Sequence, residues 1–173
     1  MTQKRITAIF LLFIMAMSMT SCSINKEEVI NEVNDNSNLP FPLLLPNSDL
    51  DYDESEYQEL PMMGGSGFEN DSFRIILTGW PDNRGSSDYI TEISFTDPAY
   101  SIFGVKVGDD YLVATEVLEK HGYKEESSRV DSGNDYSSFM KNDAVEITIS
   151  FNDNGTITKI YLNAILNEPQ VVF

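Results

Sequence analysis

The chain has 173 residues, with 11 Lys or Arg against 28 Asp or Glu and a net charge of −17. Such a surface repels phosphate backbones and sets nucleic acid aside as a partner. A single cysteine and a single histidine exclude a disulfide framework and leave too few ligands for a zinc cluster.

Residues 1–21 comprise a basic start (Lys4, Arg5), an apolar run of about 14 residues from Ile6 to Met19, and Met19-Thr20-Ser21 directly before Cys22. The run is shorter than the roughly 20 residues a bilayer span needs, and the order of its segments is that of a secretion signal. With cysteine after the small pair, the segment resembles a bacterial lipoprotein signal with its lipobox. The resemblance implies cleavage before Cys22, acylation of its thiol (palmitate) and a lipid anchor on the extracytoplasmic face of a cell membrane. A Gram-positive surface is favoured over an outer membrane. The mature chain keeps nine basic and all 28 acidic residues and has no disulfide, so its core must suffice.

Residues 22–68 read as a tether. No basic residue lies between Lys26 and Arg74, Pro40, Pro42, Pro46 and Pro61 interrupt the stretch, and it closes on Gly64-Gly65-Ser66-Gly67. Acidity and breakers predict a mostly disordered spacer that lifts the domain off the membrane. Leu39 to Leu45 is its one apolar patch, either docked as an edge strand or left extended. Asp49, Asp51 and Asp53 are spaced like the first ligands of a calcium loop, but the sixth position is Glu54 and the twelfth Leu60. They stand as weak cation candidates in what reads better as a solvated acidic run. Phe68 occupies the place of the second glycine of a nucleophile elbow, so the glycine segment is a flexible joint.

The α+β domain is expected over 69–167, with a tail at 168–173, and it carries an internal echo. Asp71-Ser-Phe-Arg-Ile-Ile-Leu-Thr78 matches Asp143-Ala-Val-Glu-Ile-Thr-Ile-Ser150, and Ile90-Thr-Glu-Ile-Ser-Phe95 matches Ile157-Thr-Lys-Ile-Tyr-Leu162. Each half is thus a strand pair. A type I′ turn at Asn154-Gly155 places Ile149 opposite Ile160, Ile147 opposite Leu162, Ser150 opposite Lys159 and Thr148 opposite Tyr161. A one-residue slip would set aliphatic against polar side chains. In the first pair Phe73, Ile75, Leu77, Ile93 and Phe95 point inward, and Arg74, Thr78, Glu92 and Ser94 outward.

Between the pairs, Tyr100 to Val107 reads as a short strand and Asp109 to His121 as a helix with Asp109 as N-cap. Ala114, Val117, Leu118 and His121 form its apolar stripe, and Gly122 its left-handed stop. Weaker strands follow at 123–130 and 134–141. The expected fold is an open antiparallel sheet built from a repeated hairpin, with one helix packed on its apolar face.

Ile102-Phe-Gly-Val-Lys-Val-Gly-Asp109, the helix, and Gly122-Tyr123 resemble small Gram-positive lipoprotein domains of the β-lactamase-inhibitory-protein and outer-membrane-assembly-lipoprotein type. The likeness covers about half the chain and rests on Gly104, Gly108, Asp109, Gly122 and Tyr123. It implies a non-enzymatic scaffold that binds other proteins through its open sheet face and loops. The chain departs from that pattern in showing one helix before its sheet rather than two, and no binding residue carries over.

His121 ends a helix and interacts favourably with its dipole. No nucleophile elbow, oxyanion loop or paired carboxylate setting accompanies it, so the expectation is no enzyme and no cofactor. The connection from Gly79 to Tyr89 is long for a hairpin and holds the only tryptophan. Trp80, Arg84 and Tyr89 are its contact candidates, joined by Tyr161 and Ile76 on the wet face. Trp80 also suits a role capping the core. The expected function is a membrane-anchored protein-binding or assembly module; the alternative is an envelope protein for a small ligand or cation.

Overall fold

In a computed structural model the described residues are 25–53, 55–62, 65–79, 88–129 and 135–165. The segment expected to be a signal, Cys22, Trp80, Arg84 and the tail lie outside them. Two helices, α1 (Lys26–Asp35) and α2 (Tyr111–Lys120), accompany ten strands. The first four strands are β1 (Gln58–Met62), β2 (Gly65–Glu69), β3 (Phe73–Gly79) and β4 (Asp88–Phe95). A small hairpin of β5 (Ser101–Ile102) and β6 (Val105–Lys106) comes next. The last four are β7 (Lys124–Arg129), β8 (Asp135–Lys141), β9 (Val145–Phe151) and β10 (Ile157–Ala164). All strands but β5 and β6 form one antiparallel sheet in the order β1-β2-β3-β4-β10-β9-β8-β7. The fold is α+β with an open sheet, and the echo extends beyond hairpins: one helix and a four-strand meander, twice, joined through β4 and β10.

The registers follow the apolar pattern. Ile149 faces Ile160, Ile147 faces Leu162, Ser150 faces Lys159 and Thr148 faces Tyr161. In the first half Phe73 faces Phe95 and Ile75 faces Ile93, with all four buried. Each hairpin also contains a bulge. Ile76 pairs with Glu92 and Leu77 with Ile90, leaving Thr91 over; Ser150 pairs with Lys159 and Phe151 with Ile157, leaving Thr158 over. The two threonines are counterparts in the echo. Each bulge resets the alternation, so Ile90 (0% exposed) and Ile157 (1%) return to the core face three residues from Ile93 and Ile160. Thr91 Oγ1 lies 3.0 Å from Thr78 Oγ1, and Thr158 Oγ1 donates to the Ser150 carbonyl at 3.3 Å.

The turn before β10 is not type I′, which requires positive φ at both central residues. Only Gly155 has one (74°); its N–H donates to the Asn152 carbonyl at 2.8 Å, while Asn152 Oδ1 accepts from the N–H groups of Asn154 and Thr156. The Thr158 bulge absorbs the difference, and the predicted register holds from Ser150–Lys159 inward.

The expected tether is folded over its described residues. Asn25 caps α1 by accepting from the Glu27 N–H, and Glu27 and Glu28 sit at the positive end of its dipole. Val29, Ile30 and Val33 are buried in the same cluster as the inward sheet residues, together with Phe41 and Leu43. Asn34 brackets Leu43, accepting from its N–H at 2.9 Å and donating to its carbonyl at 3.1 Å. The Leu39–Leu45 patch docks: Leu44 N–H donates to the Ile90 carbonyl and Ile90 N–H to the Leu45 carbonyl, and Pro46 bridges Tyr89. This covers the strip of β4 beyond Glu92, where the pairing with β10 ends. The folded unit therefore includes the described residues from 25 onward and does not start at 69. Gly65 to Gly67, expected as a joint, belong to β2, where a Cβ on Gly67 would stand 2.8 Å from the Ile75 carbonyl oxygen. Pro61 sits in edge strand β1, the kind of strand in which a sheet tolerates proline.

One helix was expected, and two are present among the described residues. Asp110, not Asp109, caps α2, accepting from Leu112 and Val113 N–H at 2.9 and 3.2 Å; Asp109 instead accepts from Lys106 N–H at 3.0 Å. Ala114 and Leu118 are buried in the common cluster, whereas Val117 and His121 are half-buried. Gly122 takes the predicted left-handed conformation (φ 82°). Tyr100 to Val107 is a tight hairpin rather than one strand, turning at Phe103-Gly104 with φ of 53° and 80°.

Candidate binding face

The inward positions of the central strands carry aliphatic and aromatic side chains. On the opposite face, pairing aligns side chains in rows. One row runs Glu69, Arg74, Ser94, Tyr161, Thr148, Ser138 and Ser127 across β2, β3, β4, β10, β9, β8 and β7. The next runs Gly67, Ile76, Glu92, Asn163, Glu146, Met140 and Lys124 over the same strands. The buried side chains at outward positions are hydroxyls, Thr91, Ser94 and Ser138. Ser138 Oγ lies 2.7 Å from Thr148 Oγ1, so these groups are paired across strands. Arg74, Ile76, Glu92, Thr148 and Tyr161 are half-buried and Lys159 is exposed.

Two shallow depressions mark the centre of this face. One of about 160 Å³ is lined by Arg74, Ile76, Glu92, Ser94, Lys159 and Tyr161. The other, about 170 Å³, lies beside it toward the β2–β3 turn and shares Arg74, Ser94 and Lys159. Burial pushes the Tyr161 hydroxyl above the usual tyrosine range, and its hydrogen bond to Glu92 adds to the shift. The phenol is therefore neutral at physiological pH and oriented by Glu92. Arg74 Nε is 3.9 Å from Glu69 Oε2, the outer limit of an ion pair.

Of the contact candidates, Tyr161 occupies the centre of this face. Tyr89 pairs with Thr78 two rows away, half-buried against Pro46. Trp80 and Arg84 lie outside the described residues. Arg74, Glu92, Ser94 and Lys159 were legible as outward positions. Their gathering around Tyr161 was not, because it depends on the long-range pairing of β4 with β10.

The other chemistry-bearing residues have local partners. His121 stacks on Phe103 at 4.1 Å, with Nδ1 3.4 Å from Glu32 Oε1. Lys141 joins Glu32 and the His121 carbonyl, tying α1 to the end of α2 and to the β8–β9 turn. Asp49 accepts from Ser48 Oγ, and two hydrogen bonds from Ser55 hold the Asp53 carboxyl below the usual carboxylate range. Among the described residues no three of His, Cys, Asp and Glu gather as metal ligands do, and Asp49, Asp51 and Asp53 do not converge. No helix among them is long and apolar enough to cross a membrane. No family model matches the chain, and no curated protein or solved structure is significantly similar to it.

Proposed function

We propose that the chain is an extracytoplasmic lipoprotein, anchored by a lipid on Cys22, that binds a protein partner through the outer face of its sheet. The observation that carries this reading is the two-sidedness of the sheet. The buried residues of both helices and of 41–43 cluster with the inward side chains, while the outward rows keep Arg74, Ile76, Glu92 and Tyr161 half-exposed around shallow depressions. Half-buried tyrosine and arginine at the centre of a broad face are the residue types enriched among interface hot spots. Depressions this shallow and polar suit a protein surface better than an enclosed small ligand.

The signal segment supports the anchor. With lipid on Cys22, α1 starts four residues on, at most about 14 Å of extended chain. The partner then meets the domain close to the bilayer rather than at the end of a long spacer. The resemblance to the inhibitory and assembly scaffolds fits this role, with one helix before each four-strand meander where that pattern places two.

The test is in-cell crosslinking from position 161 with mass spectrometry, alongside Cys22→Ala and Tyr161→Ala. One dominant protein, lost in Tyr161→Ala at unchanged melting temperature and depleted when the anchor is removed, supports the reading. A capture pattern indifferent to Tyr161 sinks it.

A further inference from the structure

We infer that the centre of the outer face is a receptor for one carboxylate side chain of the partner, an inference that rests on the function proposed above. Arg74, Ser94 and Lys159 line both depressions, which places the two cationic side chains, from β3 and β10, in the same part of the face as Ser94. Neither cation has a close counter-ion among the described residues. There Arg74 meets Glu69 at 3.9 Å, and its buried Nε makes no hydrogen bond. No hydrogen bond or ion pair joins the Lys159 ammonium to another described residue. Glu92 is the one acid lining the first depression, and it is engaged by the Tyr161 hydroxyl; Glu69 and Asp71 border only the second.

At the first depression the two cations outnumber the one acid, on a chain of net charge −17. The overall field repels polyanions, so what the spot suits is a single short carboxylate carried on an otherwise uncharged surface. Size agrees: a depression of about 160 Å³ admits several waters, and so a side-chain carboxylate. An arginine takes a carboxylate through two parallel hydrogen bonds, and a lysine beside it adds a point charge.

The test titrates the full-length protein in detergent micelles with acetyl-Ala-Glu-Ala-amide, its glutamine counterpart and inorganic phosphate, following the amide resonances of Ser94 and Tyr161. The expected result is a saturable, millimolar response to the glutamate peptide. It weakens about tenfold with the glutamine peptide, and as much in Arg74→Met and in Lys159→Met, the loss of one charge-assisted hydrogen bond. Unchanged resonances of the buried Ile93 and Ile160 show that both variants stay folded. Equal binding of the two peptides overturns the inference, and so does phosphate binding at least as tightly, which marks a free-anion site. If the peptides fail while Tyr161→Ala still abolishes crosslinking, the carboxylate receptor falls and the protein-binding face stands.

Discussion

Ser94 and Tyr161, equivalent positions of the two repeats, lie directly opposite each other in the central strand pair. Around them the pairing is reciprocal: Ile93 faces Leu162 and Phe95 faces Ile160, each residue meeting the counterpart of its neighbour's partner. An approximate two-fold axis thus passes between β4 and β10. The outer strands depart from it by two residues, since Ile75 faces Ile93 whereas its counterpart Ile147 faces Leu162, not Ile160. A slip of two leaves every side chain on its own face, so the repeats diverge in register without disturbing the core.

The acidic segment before β1 is integral to the fold. Phe41 is buried against Phe73, with ring centroids 6.2 Å apart. Phe41→Ala is expected to lower unfolding free energy by about 3–5 kcal/mol in urea titrations. A chain beginning at Glu69 should show no cooperative transition, because it lacks α1, β1 and the 41–46 strap. A stable 69–173 fragment would restore the tether reading.

Gly67 is fixed by close approach rather than by φ. Its missing side chain leaves room for the Ile75 carbonyl, 2.8 Å from where a Cβ would stand, and that β3 backbone cannot yield cheaply. Gly67→Ala should cost about 1–3 kcal/mol by forcing β2 away from β3. Chemical denaturation reads the cost, and hydrogen exchange should show faster opening at Ile76 and Phe68. An unchanged midpoint contradicts the packing argument.

Tyr123 is a buried phenol whose hydroxyl finds no hydrogen bond among the described residues. Tyr123→Phe removes that unsatisfied group and should stabilise the domain by about 1 kcal/mol or more. The pH dependence has a definite sign. Burial, then the charge of Glu32, raises the Tyr123 pKa above its ordinary value of 10.0. The unfolded chain therefore gives up this proton first. The contribution is intact below pH 10 and is lost as pH rises beyond it toward the folded value. Tyr161, raised by burial and Glu92, acts in the same direction. Melting temperature should fall above about pH 10, and less steeply in Tyr123→Phe; an equal slope in the variant refutes the assignment.

Lys141 joins elements distant in sequence, reaching Glu32 of α1 and the His121 carbonyl, with 13% of its side chain exposed and 31% of Glu32's. Lys141→Met should cost about 1–3 kcal/mol, because it leaves a half-buried carboxylate and a carbonyl without their donor. Glu32→Gln in the same chain should cost less than the sum of the two single changes, as a double-mutant cycle reads it. Strict additivity would show that the pair contributes no coupling.

Local patterns made much of the sheet legible. The matched segments 71–78 and 143–150 predicted β3 and β9, and the facing of Ile149 with Ile160 followed from keeping one face apolar. Three kinds of information escaped. Val29, Ile30 and Val33 form a helical stripe, but acidic neighbours and four downstream prolines dilute it in any composition window. The bulges show in the sequence only as Ile-Thr-x-Ile at 90–93 and 157–160, a three-residue spacing that strict alternation cannot bury and that a type I′ turn at Asn154-Gly155 does not accommodate. The union of β4 with β10 left no local trace, and with it went the grouping of Arg74, Ser94, Lys159 and Tyr161.

The seam between β4 and β10 is the kind of contact by which two identical subunits join isologously. Here the peptide from 96 to 110 holds the halves together, replacing a bimolecular association with a short leash whose effective concentration is fixed. Dilution therefore cannot part them. Each half has also been free to change its own outward side chains, so that where one repeat presents Ser94 the other presents Tyr161, and where one presents Glu92 the other presents Lys159. A symmetric scaffold thereby carries a lopsided surface, its two halves presenting different side chains at equivalent places.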